Sequence, residues 1–105
     1  MIRQDIDVEG CWRIIVIYNA PLGSKDVGFT YSNFTKKTSI VGIAATSRQE
    51  QFLNTLVHEA KHAQSNICQH FNIREDGEEA AELIAYIVQK MWEDFEILLK
   101  VNYTE

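Results

Sequence analysis

The chain has 105 residues, 46% of them hydrophobic, a single proline and a formal charge of −5 at pH 7. This composition is typical of one globular domain with one hydrophobic core, so we expect a single domain over residues 1–105. The sequence has no cluster of lysine and arginine, which argues against a nucleic-acid partner and an anionic membrane surface. The opening MIRQDIDVEG lacks the apolar core of a signal peptide, and the longest apolar run, residues 14–18, is too short to span a bilayer. We therefore expect a cytoplasmic protein.

The first half of the chain is predicted to form β-strands. Residues 11–18 (CWRIIVIY) are dense in β-branched and aromatic side chains, and residues 27–34 (VGFTYSNF) alternate between apolar and polar. Residues 38–44 (TSIVGIA) follow a polar turn and form a third candidate strand. Short connections predict a three-stranded antiparallel meander, although the sequence does not determine the strand order.

The next segment is predicted to be an amphipathic helix that begins at about residue 48. Ser47 and Glu50 have the spacing of a capping box. At about 100° per residue, one face of this helix is apolar and the opposite face is polar. The apolar face carries Phe52, Leu53, Leu56, Val57, Ala60, Ala63 and Ile67. His58 and His62 lie on the polar face, so neither is expected in the core.

A second, longer helix is predicted after the loop at residues 70–77. Asp76 and Glu79 repeat the capping spacing. Apolar residues then recur at helical spacing almost to the C-terminus. They are Ala80, Ile84, Ile87, Val88, Met91, Phe95, Leu98 and Leu99. This stripe packs either on the strands and the first helix or on a second copy of the chain, as a homodimer. The predicted fold class is α+β, a small antiparallel sheet followed by two long helices.

The segment TLVHEAKH (55–62) places two of the three histidines of the chain four residues apart. Residues at this spacing lie above one another on a helix, so His58 and His62 can each direct a ring nitrogen at one metal ion, about 2 Å away. Glu59 is rotated too far to share the coordination, but a carboxylate there can reach a water bound to the metal. The alternative is a solvated helix face that binds nothing.

A catalytic metal site also needs a third protein ligand. A third histidine six residues after the second, behind a glycine bend, is excluded because those positions hold Ser65 and Cys68. His70 would reach the metal only if the helix ended early. The better source is the start of the second helix, where residues 77–86 read GEEAAELIAY.

Three glutamates stand in that segment. Glu78 is the predicted ligand because it lies beside Ala81 and Ala85, whose small side chains let the two helices approach. Glu82 is an alternative ligand, or the carboxylate that holds the other nitrogen of a ligating histidine. Glu79 is the weaker alternative, since it is rotated away and suits the helix cap. The helix dipole favours glutamates in a first turn even where no metal binds.

The pattern H-E-x-x-H, followed by Glu78 on the next helix, resembles the gluzincin-type zinc metallopeptidases. Glu78-x-x-x-Glu82 is similar to the Glu-x-x-x-Asp pattern of several such families. The order of strands, histidine helix and glutamate helix resembles the minimal zincin core of ImmA/IrrE-like and SprT-like domains, a layout found in small proteins of phages and mobile elements. The resemblance covers residues 38–90 and implies one zincin-like domain.

This resemblance implies His58, His62 and Glu78 as ligands of Zn²⁺ and Glu59 as the general base. The strand at residues 38–44 would line the substrate cleft. The implied function is a zinc-dependent metallopeptidase that hydrolyses a peptide bond, with a peptide or protein as substrate.

The alternative function is a catalytically degenerate zincin-like protein that binds a partner protein through an edge strand or the long C-terminal helix. Lys61 favours this alternative, because metallopeptidases of this type usually carry an uncharged residue there. Lys61 is expected to pair with Glu82 or to weaken the site. Glu59 favours the enzyme, because a structural zinc site has no use for a carboxylate at that position.

Overall fold

The computed structural model describes residues 2–23 and 26–103. In these ranges four strands precede two helices, which confirms the predicted α+β class. The elements are β1 (Ile2–Val8), β2 (Trp12–Tyr18), β3 (Gly28–Asn33), β4 (Thr38–Ile43), α1 (Gln49–Phe71) and α2 (Glu78–Tyr103). The three predicted strands and both predicted helices are thus present. Within the described ranges, neither helix is apolar enough along its length to cross a membrane.

The sheet corrects the prediction of three antiparallel strands, because it is mixed and has four strands in the order β1-β2-β4-β3. β1–β2 and β3–β4 pair antiparallel, whereas β2–β4 pair parallel. The sequence reading missed β1 because polar residues dominate it, and only Ile6 and Val8 of this strand are buried. β4 is the more apolar partner of the β3–β4 hairpin, so it occupies the interior position and leaves β3 at the edge.

The β1–β2 hairpin depends on a local turn that the backbone can adopt. Glu9 and Gly10 have φ angles of 53° and 71° in the left-handed region, where glycine is favoured. The amide of Cys11 donates a 3.0 Å hydrogen bond to the carbonyl oxygen of Val8 and closes the turn. Val8 is therefore paired with Trp12, and the register runs back to Ile2 opposite Tyr18.

Both helices pack on one face of the sheet and enclose the core with it. The core contains Ile6, Val8, Trp12, Ile14, Val16, Tyr18, Val41 and Ile43 from the strands, Phe52, Leu56, Ala60, Ala63 and Ile67 from α1, and Ile87, Met91, Phe95 and Leu98 from α2. Most of the apolar stripe of α2 thus packs within one chain, and Ile84, Val88 and Leu99 lie half-buried at its edge. The burial of Tyr18 raises the pKa of its phenol, whose oxygen lies 3.0 Å from the carbonyl oxygen of Met91. This contact ties α2 to the centre of the sheet.

Two details of α1 differ from the sequence-based expectation. The N-cap is Arg48 and no side chain caps the helix, so the capping box of Ser47 and Glu50 is wrong. Leu53 and Val57 are 41% and 43% exposed rather than buried. Both line a groove between α1 and α2. They lie at one side of the apolar stripe, and α1 packs on the sheet with the other side.

Phe95→Ala should strongly destabilise the fold. The ring is fully buried, 4.8 Å between centroids from Phe52, and its removal leaves a cavity. We expect a loss of about 3–5 kcal/mol in the free energy of unfolding, measured by urea denaturation. As a control on the same helix, Ile97→Ala removes a side chain that is 59% exposed and should change stability by less than about 0.5 kcal/mol. Equal losses in the two variants would contradict the described orientation of α2.

Candidate functional site

The candidate site begins with the close packing of α1 on the edge strand β3. Gly28 makes this approach possible, because a Cβ there would lie 2.7 Å from Thr55 Cγ2 and 3.0 Å from Glu59 Cγ. Further along the strand, Asn66 Nδ2 donates a 2.8 Å hydrogen bond to Ser32 Oγ. The contact between helix and strand is therefore anchored at both ends, which holds α1 at one rotation about its axis.

Glu59 lies in this contact and faces the strand. Its side chain is only 6% exposed, and Thr30 Oγ1 lies 2.7 Å from Glu59 Oε1. The same hydroxyl lies 3.2 Å from the carbonyl oxygen of Glu59. A buried carboxylate needs polar partners, and Thr30 supplies one. Glu59 is thus directed between α1 and β3, about 60° around the helix from His62.

His58 and His62 lie side by side on the outside of α1, as predicted. Both are exposed, and their Nε2 atoms are 3.0 Å apart. Two nitrogens that bind one zinc ion at about 2.0–2.1 Å with a tetrahedral angle would be separated by about 3.3 Å. At 3.0 Å one ring can donate a hydrogen bond to the other, and the two nitrogens are also within a few tenths of an ångström of the separation that one zinc ion requires. The pair is thereby suited to a divalent transition metal.

The two flanks of α1 face different parts of the molecule. His62 lies about 20° around the helix from Thr55 and about 40° from Asn66, both of which belong to the flank beside β3. α2 lies on the other flank, where Gln64 Nε2 donates a 3.0 Å hydrogen bond to the carbonyl oxygen of Ala80. Gln64 and the histidine pair are separated by about 140° around α1. The histidines therefore face away from α2.

The glutamates of α2 are placed accordingly. Glu78 is exposed at the first residue of the helix. Glu79 and Glu82 line a cavity of about 720 Å³, together with Asp7 and Glu9 of the β1–β2 hairpin, and neither histidine lines it. Across residues 2–23 and 26–103, no three His, Cys, Asp or Glu side chains lie close enough together to hold a metal ion. The histidine pair fits two positions of a zinc site, but the complete three-ligand site with Glu78 is not assembled.

Lys61 does not pair with Glu82. Its Nζ lies 2.7 Å from Gln64 Oε1 and 3.8 Å from Glu75 Oε2. Glu75 stands in the loop that connects the helices, so Lys61 is drawn toward α2 and away from the histidine pair. Both charged side chains of this pair are about half exposed. The ammonium group is thus partly neutralised next to the candidate site.

The third histidine, His70, is separate from this site. Its ring lies 5.3 Å from the ring of Trp12 and 5.9 Å from that of Phe34, measured between centroids.

The residues that the sequence reading missed are Gly28 and Thr30. They alternate along β3 on the face that meets α1, so the period of two places them together, but only the packing of the helix reveals their contact with Glu59.

Comparison of the chain with protein-family models, curated protein sequences and solved structures finds no match. The zincin resemblance therefore stays a prediction that rests on TLVHEAKH and on the order of the elements.

Thr30→Val should destabilise the contact between α1 and β3. The substitution keeps the shape of the side chain but removes the hydroxyl that Glu59 accepts from, so a buried carboxylate loses a donor. We expect a loss of about 1–3 kcal/mol in the free energy of unfolding. Thr30→Ser retains the hydroxyl and should retain most of the stability that Thr30→Val loses. Thr38→Val on β4 removes only a hydrogen bond at the surface, 3.0 Å to the carbonyl oxygen of Lys36, and should change stability by less than about 0.5 kcal/mol. An unchanged free energy of unfolding in Thr30→Val would contradict the contact between Thr30 and Glu59.

Proposed function

We propose that the protein is a metal-dependent peptide-binding module, a zincin-like protein that holds Zn²⁺ or a similar ion on His58 and His62 beside the edge strand β3. The observation that carries this proposal is the 3.0 Å separation of two exposed Nε2 atoms on the flank of α1 nearest that strand. Two imidazoles leave coordination positions open to a donor from a bound partner.

The edge strand supplies the surface for that partner. β3 pairs only with β4 in the described sheet, so its other side offers backbone groups to an extended peptide. Tyr31 is 62% exposed and stands with Phe29 on the face of β3 away from α1. These rings can contact side chains of an added strand. At the opposite edge, β1 carries Arg3 and Asp5, whose charges disfavour strand addition.

A second candidate function is hydrolysis of the bound peptide, the zinc-dependent metallopeptidase activity that the motif implies. Glu59 favours it, because a carboxylate next to a histidine pair is the arrangement of a general base in H-E-x-x-H proteins. In the folded chain this carboxylate is engaged by Thr30, and Glu78 is not assembled with the pair. Binding is therefore better supported than catalysis.

Metal binding is tested by isothermal titration of the purified chain with Zn²⁺. We expect His58→Ala and His62→Ala each to weaken binding at least tenfold, because a single imidazole cannot chelate. His70→Ala is the matched control and should bind like the wild type. Zinc at about 100 times its dissociation constant should stabilise the wild type by about 2.7 kcal/mol. Equal zinc affinity in the wild type and His62→Ala would exclude the histidine pair as the site.

Peptide binding is tested with peptides selected from a random dodecapeptide library on the zinc-loaded protein. We expect a selected peptide to shift the amide resonances of β3, with β1 as the internal control, and to dissociate when zinc is chelated. Shifts centred on β1, or binding that is indifferent to chelation, would contradict the proposal.

Mass spectrometry of the same peptides separates binding from hydrolysis. As a module, the wild type leaves them intact. Glu59→Gln retains an oxygen that can accept from Thr30, so it should fold and still bind them. Cleavage by the wild type that is lost in Glu59→Gln would establish the hydrolase instead.

A further inference from the structure

We propose that two copies of this chain share one zinc ion when no peptide partner is bound, with His58 and His62 of each copy as its four ligands. This inference rests on the proposed function, because it requires that the histidine pair binds the metal. It adds a partner of defined chemistry, a second copy of the same chain, which completes a site that one copy leaves incomplete.

The coordination number of zinc supports this assignment. Closed zinc sites in proteins have four ligands in a tetrahedral arrangement. One copy offers two Nε2 atoms 3.0 Å apart, and its described residues place no third ligating side chain with them. Glu59, the nearest carboxylate in the sequence, is held by Thr30. A twofold axis through the ion would bring the same two nitrogens from a second copy and fill all four positions.

The face of α1 that carries the pair is suited to a second copy. At about 100° per residue, the outward face of α1 carries uncharged polar neighbours of the histidines. They are Gln51, Asn54, Ser65 and Gln69. The two acidic residues of α1 lie elsewhere, since Glu50 stands in the first turn and Glu59 is buried. Although each copy carries a formal charge of −5, this face has little charge to oppose self-association.

Among the charged residues of α1, Lys61 lies nearest this face in angle. Its ammonium group lies 3.8 Å from a carboxylate oxygen of Glu75, so its charge is partly neutralised. Both side chains remain exposed enough to shift when a second helix approaches. The approach of two copies of α1 is therefore not prevented by like charges next to the ion.

A shared ion has a distinctive dependence on zinc concentration. Two copies share one ion only while zinc is limiting. The dimer should therefore be most abundant near one zinc ion per two chains. Excess zinc should separate the copies, because each histidine pair then binds its own ion. Non-specific aggregation by zinc would instead increase steadily with zinc.

The experiment is sedimentation velocity with native mass spectrometry on the full chain at increasing zinc concentrations. We expect a dimer that holds one zinc ion, dissociates in EDTA and declines in excess zinc. His58→Ala and His62→Ala should stay monomeric throughout, whereas His70→Ala should behave like the wild type. Both ligand histidines are exposed, so these variants should keep the fold, which circular dichroism checks.

The outcomes separate this inference from the proposed function. A chain that stays monomeric at one zinc ion per two chains, with zinc bound to the histidine pair, overturns the shared site and leaves metal binding by the pair intact. A chain that binds no zinc overturns both. A dimer that forms without zinc, or that persists in His62→Ala, also overturns the shared site and places the interface elsewhere.

Discussion

The close packing of α1 on the edge strand β3 is the constraint on which the candidate site depends. Gly28 leaves no side chain between helix and strand, and Thr30 and Glu59 join them by a hydrogen bond of 2.7 Å. Because these contacts set the rotation of α1, they place Glu59 inside and His58 and His62 outside. The exposed position of His58 and His62 is the direct consequence.

The edge strand is itself held by a chain of polar contacts that crosses the sheet. Trp12 Nε1 donates to Ser39 Oγ at 3.0 Å, the hydroxyl oxygens of Ser39 and Ser32 are 2.7 Å apart, and Asn66 of α1 donates to Ser32. Polar networks that are at least partly buried require a specific geometry, since each member needs its partner. They hold β3 in register with β4, while the other edge of β3 has no strand partner in the described sheet.

The same rotation of α1 separates the histidine pair from α2. Gln64 and the groove at Leu53 and Val57 face α2, so the second helix approaches the flank of α1 opposite the histidines. The glutamates at the start of α2 therefore line a different cavity, next to the β1–β2 hairpin. A site with two histidines, open to ligands from outside the chain, is what this arrangement supports, and both the peptide and the second copy are proposed on that basis.

Local periodicity was sufficient to predict three strands, both helices and the outward position of the histidine pair, because each of these depends on neighbours within a few residues. The polar strand β1 has too few buried residues to be predicted from its apolar pattern. The interior position of β4 depends on which of the two hairpin strands buries more surface. Whether Glu59 meets Thr30, and whether Glu78 meets His58, depends on which flank of α1 each neighbouring element covers. Packing between residues far apart in the chain determines which flank each element covers. The spacing of residues along one helix carries no information about that packing.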